Sequence, residues 1–203
     1  LVKDKSAEVK LSSNLVGLTS SLPEPFNKSA SDVMPLNFER RPLPAAAPAK
    51  VAAKAAAGLA QTPAPAPTQD MIGVGIGRAW RMQLVRRIDT TPPAVLRGVV
   101  AMGDISPAMP ERGLLLAVAL PRIDVNAWGT FWPNQADGND QAAALLPTLP
   151  ALMFDVRTAE LAVHDRSFHD VRINGSHPEG ASGTRFDLQS RELAGNFEWD
   201  AAA

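Results

Sequence analysis

The sequence predicts a mainly β protein whose strands form an antiparallel meander. Three observations carry this prediction. Apolar and polar residues alternate with a period of two in most segments, turn residues separate those segments, and helix signals are confined to two short stretches in the middle of the chain. Alternation of this kind, interrupted by turn residues, is typical of antiparallel strands.

The candidate strands follow one another along most of the chain. Residues 95–102 and 114–120 are denser apolar runs than the others. After Val156 the apolar phase shifts to Ala159, which predicts a bulge near Thr158. Residues 177–183, HPEGASG, predict a hairpin loop. The alternating segments are 9–15, 36–39, 80–86, 154–163, 171–173, 186–188 and 197–199.

Two short helices are expected between the denser runs and the last strands. Asp124 is a good N-cap for VNAWGTFW, and Pro133 would end that helix. Asp140 could cap a second helix over QAAALL, which would end before Pro147. Trp128 and Trp132 would share one face of the first helix, and we expect that face to pack on the sheet.

An Ala/Pro-rich segment divides the chain into three parts. Residues 1–41 are predicted to be N-terminal strands, 42–70 a flexible insert, and 71–203 the remainder of the same β-rich domain, with a helical insertion near 124–147. The insert has little apolar bulk to bury, and its prolines favour extended structure. We interpret it as a mobile loop, with a tether or docking segment as the alternative.

Composition excludes several classes of function. The net charge is −1, so no basic footprint for nucleic acid is present. The absence of cysteine excludes thiol catalysis, disulfides and thiolate metal sites. The longest apolar run, 113–120, is too short to cross a bilayer. The chain begins and ends with sequence that has a strand-like pattern, so we expect it to be a fragment of a longer protein.

Residues 71–80, MIGVGIGRAW, raise the question of a phosphate-binding loop. A dinucleotide fingerprint needs a third glycine three positions after the second, and Arg78 stands there instead. The segment that follows has no helical pattern, so no helix N-terminus is available to hold a phosphate. We expect a strand whose glycines allow a bulge or a close approach of backbone.

The histidines and serines match no catalytic or metal-binding motif. His164 and His169 lie five positions apart around a predicted turn, and His177 opens the hairpin loop. Ser182 lies in GASGT, which is not a nucleophile elbow. The sequence therefore predicts no catalytic residue, no metal site and no cofactor, and we do not expect an enzyme.

Three segments, taken in order, resemble YhdP-like proteins of the broader AsmA-like, TamB-related group. LSSNLVGLTSSLPEPFNKSA at 11–30 resembles a strand and the turn that follows it in that family. A Leu-Pro-x-x-Asp-x-x-x-Trp pattern and a closing β-meander resemble later segments. The matching residues are Leu15, Gly17, Leu22, Pro23, Pro25, Phe26 and Lys28, then Leu120, Pro121, Asp124 and Trp128, then Ser190, Leu193, Ala194, Gly195 and Trp199.

The resemblance implies a fold, a location and partners. The fold would be a curved meander sheet forming part of an elongated open groove. The protein would be a periplasmic bridge-like lipid transfer protein of Gram-negative bacteria, anchored to the inner membrane through a segment outside these residues. Its partners would be phospholipid and neighbouring β segments of the full-length chain, without nucleic acid.

Apolar residues on the predicted strands are the candidates for lining such a groove. Moving an acyl chain of about sixteen carbons through water costs on the order of 12 kcal/mol, and a continuous apolar strip would lower that cost. The alternative is a structural or interaction β-module of the envelope without a ligand, its sheet packed solid. The candidate lining residues are Leu11, Leu15, Phe154, Val156, Val171, Ile173, Phe186, Leu188, Phe197 and Trp199.

Overall fold

The chain forms one ten-stranded sheet in which the strand order follows the chain order. The structure is a computed structural model, and it describes residues 8–43, 69–130 and 150–200. The elements are β1 (Val9–Ser13), β2 (Leu36–Leu43), β3 (Gln69–Ile76), β4 (Trp80–Arg87), β5 (Ala94–Gly103), β6 (Gly113–Asp124), α1 (Val125–Gly129), β7 (Leu152–Val163), β8 (Arg166–His177), β9 (Gly183–Gln189) and β10 (Ala194–Asp200).

The sheet is open, and its edge strands are β1 and β10. The prediction of a mainly β fold is confirmed. The expectation that every pair is antiparallel is wrong at one strand, since β6 runs parallel to both β5 and β7. Alternation of apolar residues does not report strand direction. The long connections before and after β6, which return the chain to the same end of the sheet, allow the parallel pairs.

The connection from β5 to β6 packs against β4 and β5 on one face of the sheet. Residues 105–107 line a small cavity together with Val99 and Ala101, both of which are buried. Nη2 of Arg81 donates a hydrogen bond to the carbonyl of Ile105. This connection therefore covers part of that face over β4 and β5.

A buried lysine organises the loop between β1 and β2. Nζ of Lys28 donates to the carbonyls of Leu15 (2.8 Å), Leu18 (2.7 Å) and Ser29 (2.9 Å). The lysine is 6% exposed, so this one ammonium group satisfies three carbonyls away from solvent. β1 ends at Ser13, and Leu15 has a φ of 52°. The predicted strand over 9–15 is thus too long, because the loop begins before Leu15.

The predicted N-cap of the first helix is confirmed. Oδ1 of Asp124 accepts a hydrogen bond from the backbone amide of Ala127 at 2.9 Å. The helix α1 ends at Gly129 and is shorter than expected. The ring of Trp128 packs edge-on against Phe26 of the β1–β2 loop, with centroids 5.9 Å apart. Trp132, Pro133 and the second predicted helix lie outside the described residues.

The first and last residues of the predicted insert belong to strands. β2 continues to Leu43 and β3 begins at Gln69, so both strands include residues assigned to the insert over 42–70. β3 confirms that the glycine-rich stretch is a strand. The close backbone approach expected there is not found at Gly73, where an added Cβ would have no neighbour within 4 Å.

The ladder between β7 and β8 is interrupted at Ala159, next to the predicted bulge. Neither Ala159 nor Asp170 is paired, and Asp170 has a φ of 52°. Pairing resumes in the same register, so neither strand has an extra residue. The prediction of a bulge near Thr158 is therefore wrong. The shift in apolar phase is confirmed, because Leu161 lines a cavity of about 180 Å³ together with Val171.

Candidate functional site

Residues paired across neighbouring strands point to the same face of a sheet, so the register defines rows of side chains. One row crosses all ten strands, and every member is apolar or glycine. We call it the central row. It consists of Leu11, Phe38, Val74, Met82, Val100, Leu116, Phe154, Gly175, Phe186 and Phe197.

A second row lies two residues along each strand on the same face. Only Ser13 interrupts its apolar character, at the β1 edge. The second row consists of Ser13, Leu36, Ile76, Trp80, Met102, Val118, Val156, Ile173, Leu188 and Gly195. The two rows together make this the apolar face of the sheet.

A third row forms one border of the apolar face. It is apolar over the central strands and carries polar groups toward both ends. The third row consists of Val9, Arg40, Ile72, Leu84, Gly98, Leu114, Leu152 and His177, followed by the pair Thr184 and Trp199.

The apolar face is partly exposed to solvent along its whole length. In the central row the side chains between the edges are half-buried, while Leu11 is 55% and Phe197 50% exposed. Within the described ranges, the substantial contacts between elements other than neighbouring strands are those of α1 with β7. The covering connection from β5 to β6 lies on the opposite face, since Val99 and Ala101 alternate with the central-row residue Val100.

Three phenylalanines continue the central row at the β10 end. The rings of Phe154 and Phe186 lie 5.5 Å apart, and those of Phe186 and Phe197 stack at 4.9 Å. Gly175 makes this possible, because a Cβ at that position would lie 2.6 Å from Cδ1 of Phe186. The ring of Phe186 therefore lies over β8, and the row stays continuous across the glycine.

A buried carboxylate lies just beyond the third row. Asp70 is 0% exposed, and its neighbours in the next row are Pro42 and Arg86. Burial raises the pKa of the Asp70 carboxyl, but hydrogen bonds from Arg86 and Arg40 and the charges of both residues outweigh burial and hold the pKa below its ordinary value. The carboxylate is thus charged and fixed at the border of the apolar face.

A buried histidine lies on the same border near the other end of the sheet. Nδ1 of His177 lies 3.0 Å from Oγ1 of Thr184. Its Nε2 is buried and has no hydrogen-bond partner in the described part of the chain. Polar groups therefore mark this border on both halves of the sheet.

The opposite face is mostly polar from β7 to β10. Arg157 forms a bidentate pair with Asp155, with Nη2 and Oδ2 2.8 Å apart. Arg185 pairs with Glu198 at 3.6 Å. The contrast between the faces follows directly from the alternation in the sequence.

The remaining histidines have structural partners at the ends of β7 and β8. The amide of His164 donates to Oδ1 of Asn126 at 3.0 Å. The amide of His169 donates to Glu192 at 2.9 Å, and this bond and one to the His169 ring lower the pKa of Glu192 to about 2. No group of three or more His, Asp or Glu that could hold a metal ion occurs among residues 8–43, 69–130 and 150–200.

The structure brings most of the predicted lining residues onto the apolar face. Val171 is on this face beyond the second row and is almost fully buried. Leu15 lies outside the strands, in the β1–β2 loop. The others lie in the central row (Leu11, Phe154, Phe186, Phe197), the second row (Val156, Ile173, Leu188) and the third row (Trp199).

Sequence reasoning missed the members of the rows on β2 to β6. The alternation around Phe38 and Met82 was visible in the sequence, and the residues could have been assigned to one face from it. On β5 and β6 both faces are apolar, so alternation alone could not select Val100 or Leu116.

The fold and this face together define a class: open β-sheet proteins that present a continuous, partly exposed apolar face. The family model described as YhdP protein matches residues 2–203, and the chain belongs to the YhdP family. The resemblance noted in the sequence is thereby confirmed. The family indicates a bacterial envelope protein and is consistent with AsmA-like envelope lipid-transport proteins.

No curated protein and no solved structure matches the chain. Among the described residues, the one helix is far too short to cross a bilayer.

Proposed function

We propose that the apolar face carries phospholipid acyl chains, and that the chain is a segment of a periplasmic lipid transfer protein working between inner and outer membranes. The observation that carries this proposal is the central row, whose member on every strand is apolar or glycine and which remains partly exposed. A monomeric protein rarely leaves a large contiguous apolar surface facing water unless that surface binds something.

The dimensions of the face suit a lipid that moves. Neighbouring strands lie about 4.8 Å apart, so a row across ten strands measures about 40 Å along the sheet. The hydrocarbon core of a bilayer is about 30 Å thick and holds two layers of chains. One acyl chain therefore covers less than half of the row. It can occupy several positions along the row and find similar apolar contacts at each.

The chemistry required is binding without reaction. We propose that the chain is not an enzyme and needs no cofactor, since its function is to replace water around the acyl chain with apolar side chains. Each CH₂ group shielded in this way contributes about 0.8 kcal/mol. The phospholipid headgroup would stay in water at the border of the face.

The edges of the sheet support the proposed partners. β1 and β10 each pair on one side only, and their side chains are exposed, including Trp199. Open edges of this kind pair readily with further strands. We propose that neighbouring β segments of the full-length chain extend the sheet there, and that inner-membrane anchoring lies in another segment. A purely structural β-module would use the same edges without a ligand.

The first prediction concerns charges placed on the apolar face. Ile173→Glu or Leu188→Glu puts a carboxylate among acyl chains, where burying it costs several kcal/mol. We expect mass spectrometry of lipids extracted from the purified wild-type protein to find phospholipid in near-stoichiometric amounts, and we expect each variant to lose most of it.

The matched controls are Asn174→Glu and Gln189→Glu. Each adds the same charge one residue away on the opposite, exposed face of the same strand. Circular dichroism would establish that all four variants fold. Phospholipid retained by folded Ile173→Glu and Leu188→Glu proteins, or absent from the wild type, would support the structural module instead.

A further inference from the structure

Two arginines share the buried carboxylate at the border of the apolar face. Nε of Arg40 donates to Oδ2 of Asp70 at 2.6 Å. Arg86 donates twice, from Nε to Oδ1 at 3.1 Å and from Nη2 to Oδ2 at 2.9 Å. The three side chains come from β2, β3 and β4, so the cluster is fixed by three paired strands.

The cluster has positive charge and hydrogen-bond donors left over. Two guanidinium groups and one carboxylate leave a net charge of +1. Asp70 is fully buried, but the side chains of Arg40 and Arg86 are 30% and 23% exposed. Within the described residues, both Nη groups of Arg40 and Nη1 of Arg86 make no hydrogen bond. Because both arginine side chains are partly exposed, these donors are accessible to a further anion.

A register shift in the β4–β5 ladder lies beside Arg86, whose pairing with Asp70 on β3 is regular. The β4–β5 ladder shifts between Val85 and Arg86, where Val85 pairs with Arg97 and Arg86 pairs with Val95. Leu96 is the extra residue on β5. Bulges of this kind redirect a side chain and are common beside binding sites.

We propose that Arg40 and Arg86, held by Asp70, bind the phosphate of a phospholipid whose acyl chains lie on the apolar rows. This inference rests on the proposed function. Arg40 and Phe38 lie two residues apart on one face of β2, which places them about 7 Å apart. A phosphate at the arginines is thus within reach of an acyl chain on the central row. Guanidinium groups bind phosphate oxygens in pairs of parallel hydrogen bonds.

A phospholipid fits the cluster better than a free phosphate does. The net charge of +1 matches the single negative charge of a phosphodiester headgroup. The neighbours of the cluster in the third row are Ile72 and Leu84. These apolar side chains make no favourable contact with an inorganic anion, but they provide a continuous surface against which an acyl chain can pack. The cluster would hold the headgroup at the border while the acyl chains stay on the face.

The test compares two lipids with identical acyl chains, phosphatidylglycerol and diacylglycerol. The purified protein is incubated with vesicles of a galactolipid carrier, which has no phosphate, that contain one or the other, and bound lipid is measured by mass spectrometry after separation. We expect the wild type to prefer phosphatidylglycerol, and we expect Arg40→Gln to reduce that preference about tenfold without changing diacylglycerol binding.

Two further variants isolate the cause. Arg41→Gln removes the same charge from the next residue of β2, on the opposite face, and should keep the preference. Arg40→Lys keeps the charge and can still pair with Asp70, but lacks the forked donors, so it should lose preference while folding normally. If Arg40→Gln does not fold, Arg40→Lys alone decides the question.

The outcomes separate this inference from the proposed function. Binding of both lipids without preference, or a preference that survives in Arg40→Lys, overturns the phosphate site and leaves acyl-chain binding intact. Binding of neither lipid overturns the proposed function itself. Full competition by glycerol 3-phosphate at equal concentration would show that the cluster binds a free phosphate, which also overturns the lipid assignment.

Discussion

At the scale of single residues, the buried charged groups of Asp70 and Lys28 have dedicated partners. Asp70 is held by two arginines, and Lys28 donates to three carbonyls. A buried charge without such partners would cost several kcal/mol. Because the sheet has one covered face at most, these few buried groups have a large share in its stability.

The pH dependence of stability should report the Asp70 cluster. The folded-state pKa of Asp70 lies below its ordinary value of 3.8, so its contribution is complete above that value and is lost as the pH falls through the lower folded-state pKa. We expect Asp70→Asn to lower the free energy of unfolding by about 3 kcal/mol at neutral pH. Urea unfolding at a series of pH values measures it.

The difference between wild type and Asp70→Asn should shrink as the solution is acidified below pH 3.8, because the wild-type carboxyl then also becomes neutral. Asp187→Asn, on the exposed face of β9, serves as the control and should change the free energy of unfolding by no more than about 0.5 kcal/mol at neutral pH. A difference that stays constant down to acid would mean that the Asp70 charge does not stabilise the fold.

The sequence predicted some of these residue roles and not others. Alternation identified Phe154 and Ile173 as members of one face, because side chains alternate across a strand. It could not identify Asp70 as buried, since a carboxylate at the end of a predicted flexible insert is expected to be exposed to solvent. The partners of Asp70 lie on two other strands, and only the register brings them together.

At the scale of elements, the β1–β2 loop is the best-defined irregular segment. Lys28→Met keeps the aliphatic stem of the side chain but leaves three carbonyls without their donor. We expect a loss of about 2 to 3 kcal/mol in the free energy of unfolding, since hydrogen bonds to charged groups are among the stronger ones. Chemical denaturation measures this.

Lys10→Met is the matched control for the loop, because Lys10 is well exposed and, among the described residues, pairs with Glu8 and Glu39. It should change stability by a few tenths of a kcal/mol. Equal losses in the two variants would show that the buried ammonium does not hold the loop.

The elements also show what local signals could and could not predict. The cap at Asp124 was predicted because a short side chain before a helix satisfies free amides. The direction of β6 was not predicted, because an apolar run does not indicate whether its strand pairs in a parallel or an antiparallel direction. What decides direction is the length and path of the connections, which the alternation does not encode.

At the scale of the whole molecule, the apolar face depends on register rather than on any one strand. Each strand supplies an alternating pattern, but the rows exist only because Val100 meets Leu116 and Leu116 meets Phe154 across parallel pairs. A slip of one residue at β6 would turn half of the apolar surface to the polar face. The sequence could predict apolar faces strand by strand, and the structure was needed to align them.

The parallel pairing of β6 gives the molecule an order of assembly. The strands β3 to β5 and β7 to β10 are joined by short turns and can form as local hairpins, whereas Arg122 and Glu160 in the β6–β7 pair are 38 residues apart. Distant pairs close late, because loop closure costs entropy before contacts repay it.

We therefore expect the hairpins over β3–β5 and β7–β10 to form first and the β6–β7 pair to close after them. Pulse-labelling hydrogen exchange during refolding would detect late protection of the amides that pair β6 with β7. Protection of those amides before the hairpins would contradict this order. Since the β6–β7 pair joins the two halves of the central row, the apolar path would become continuous only late in folding, and partly folded chains would expose two short apolar patches in place of one long track.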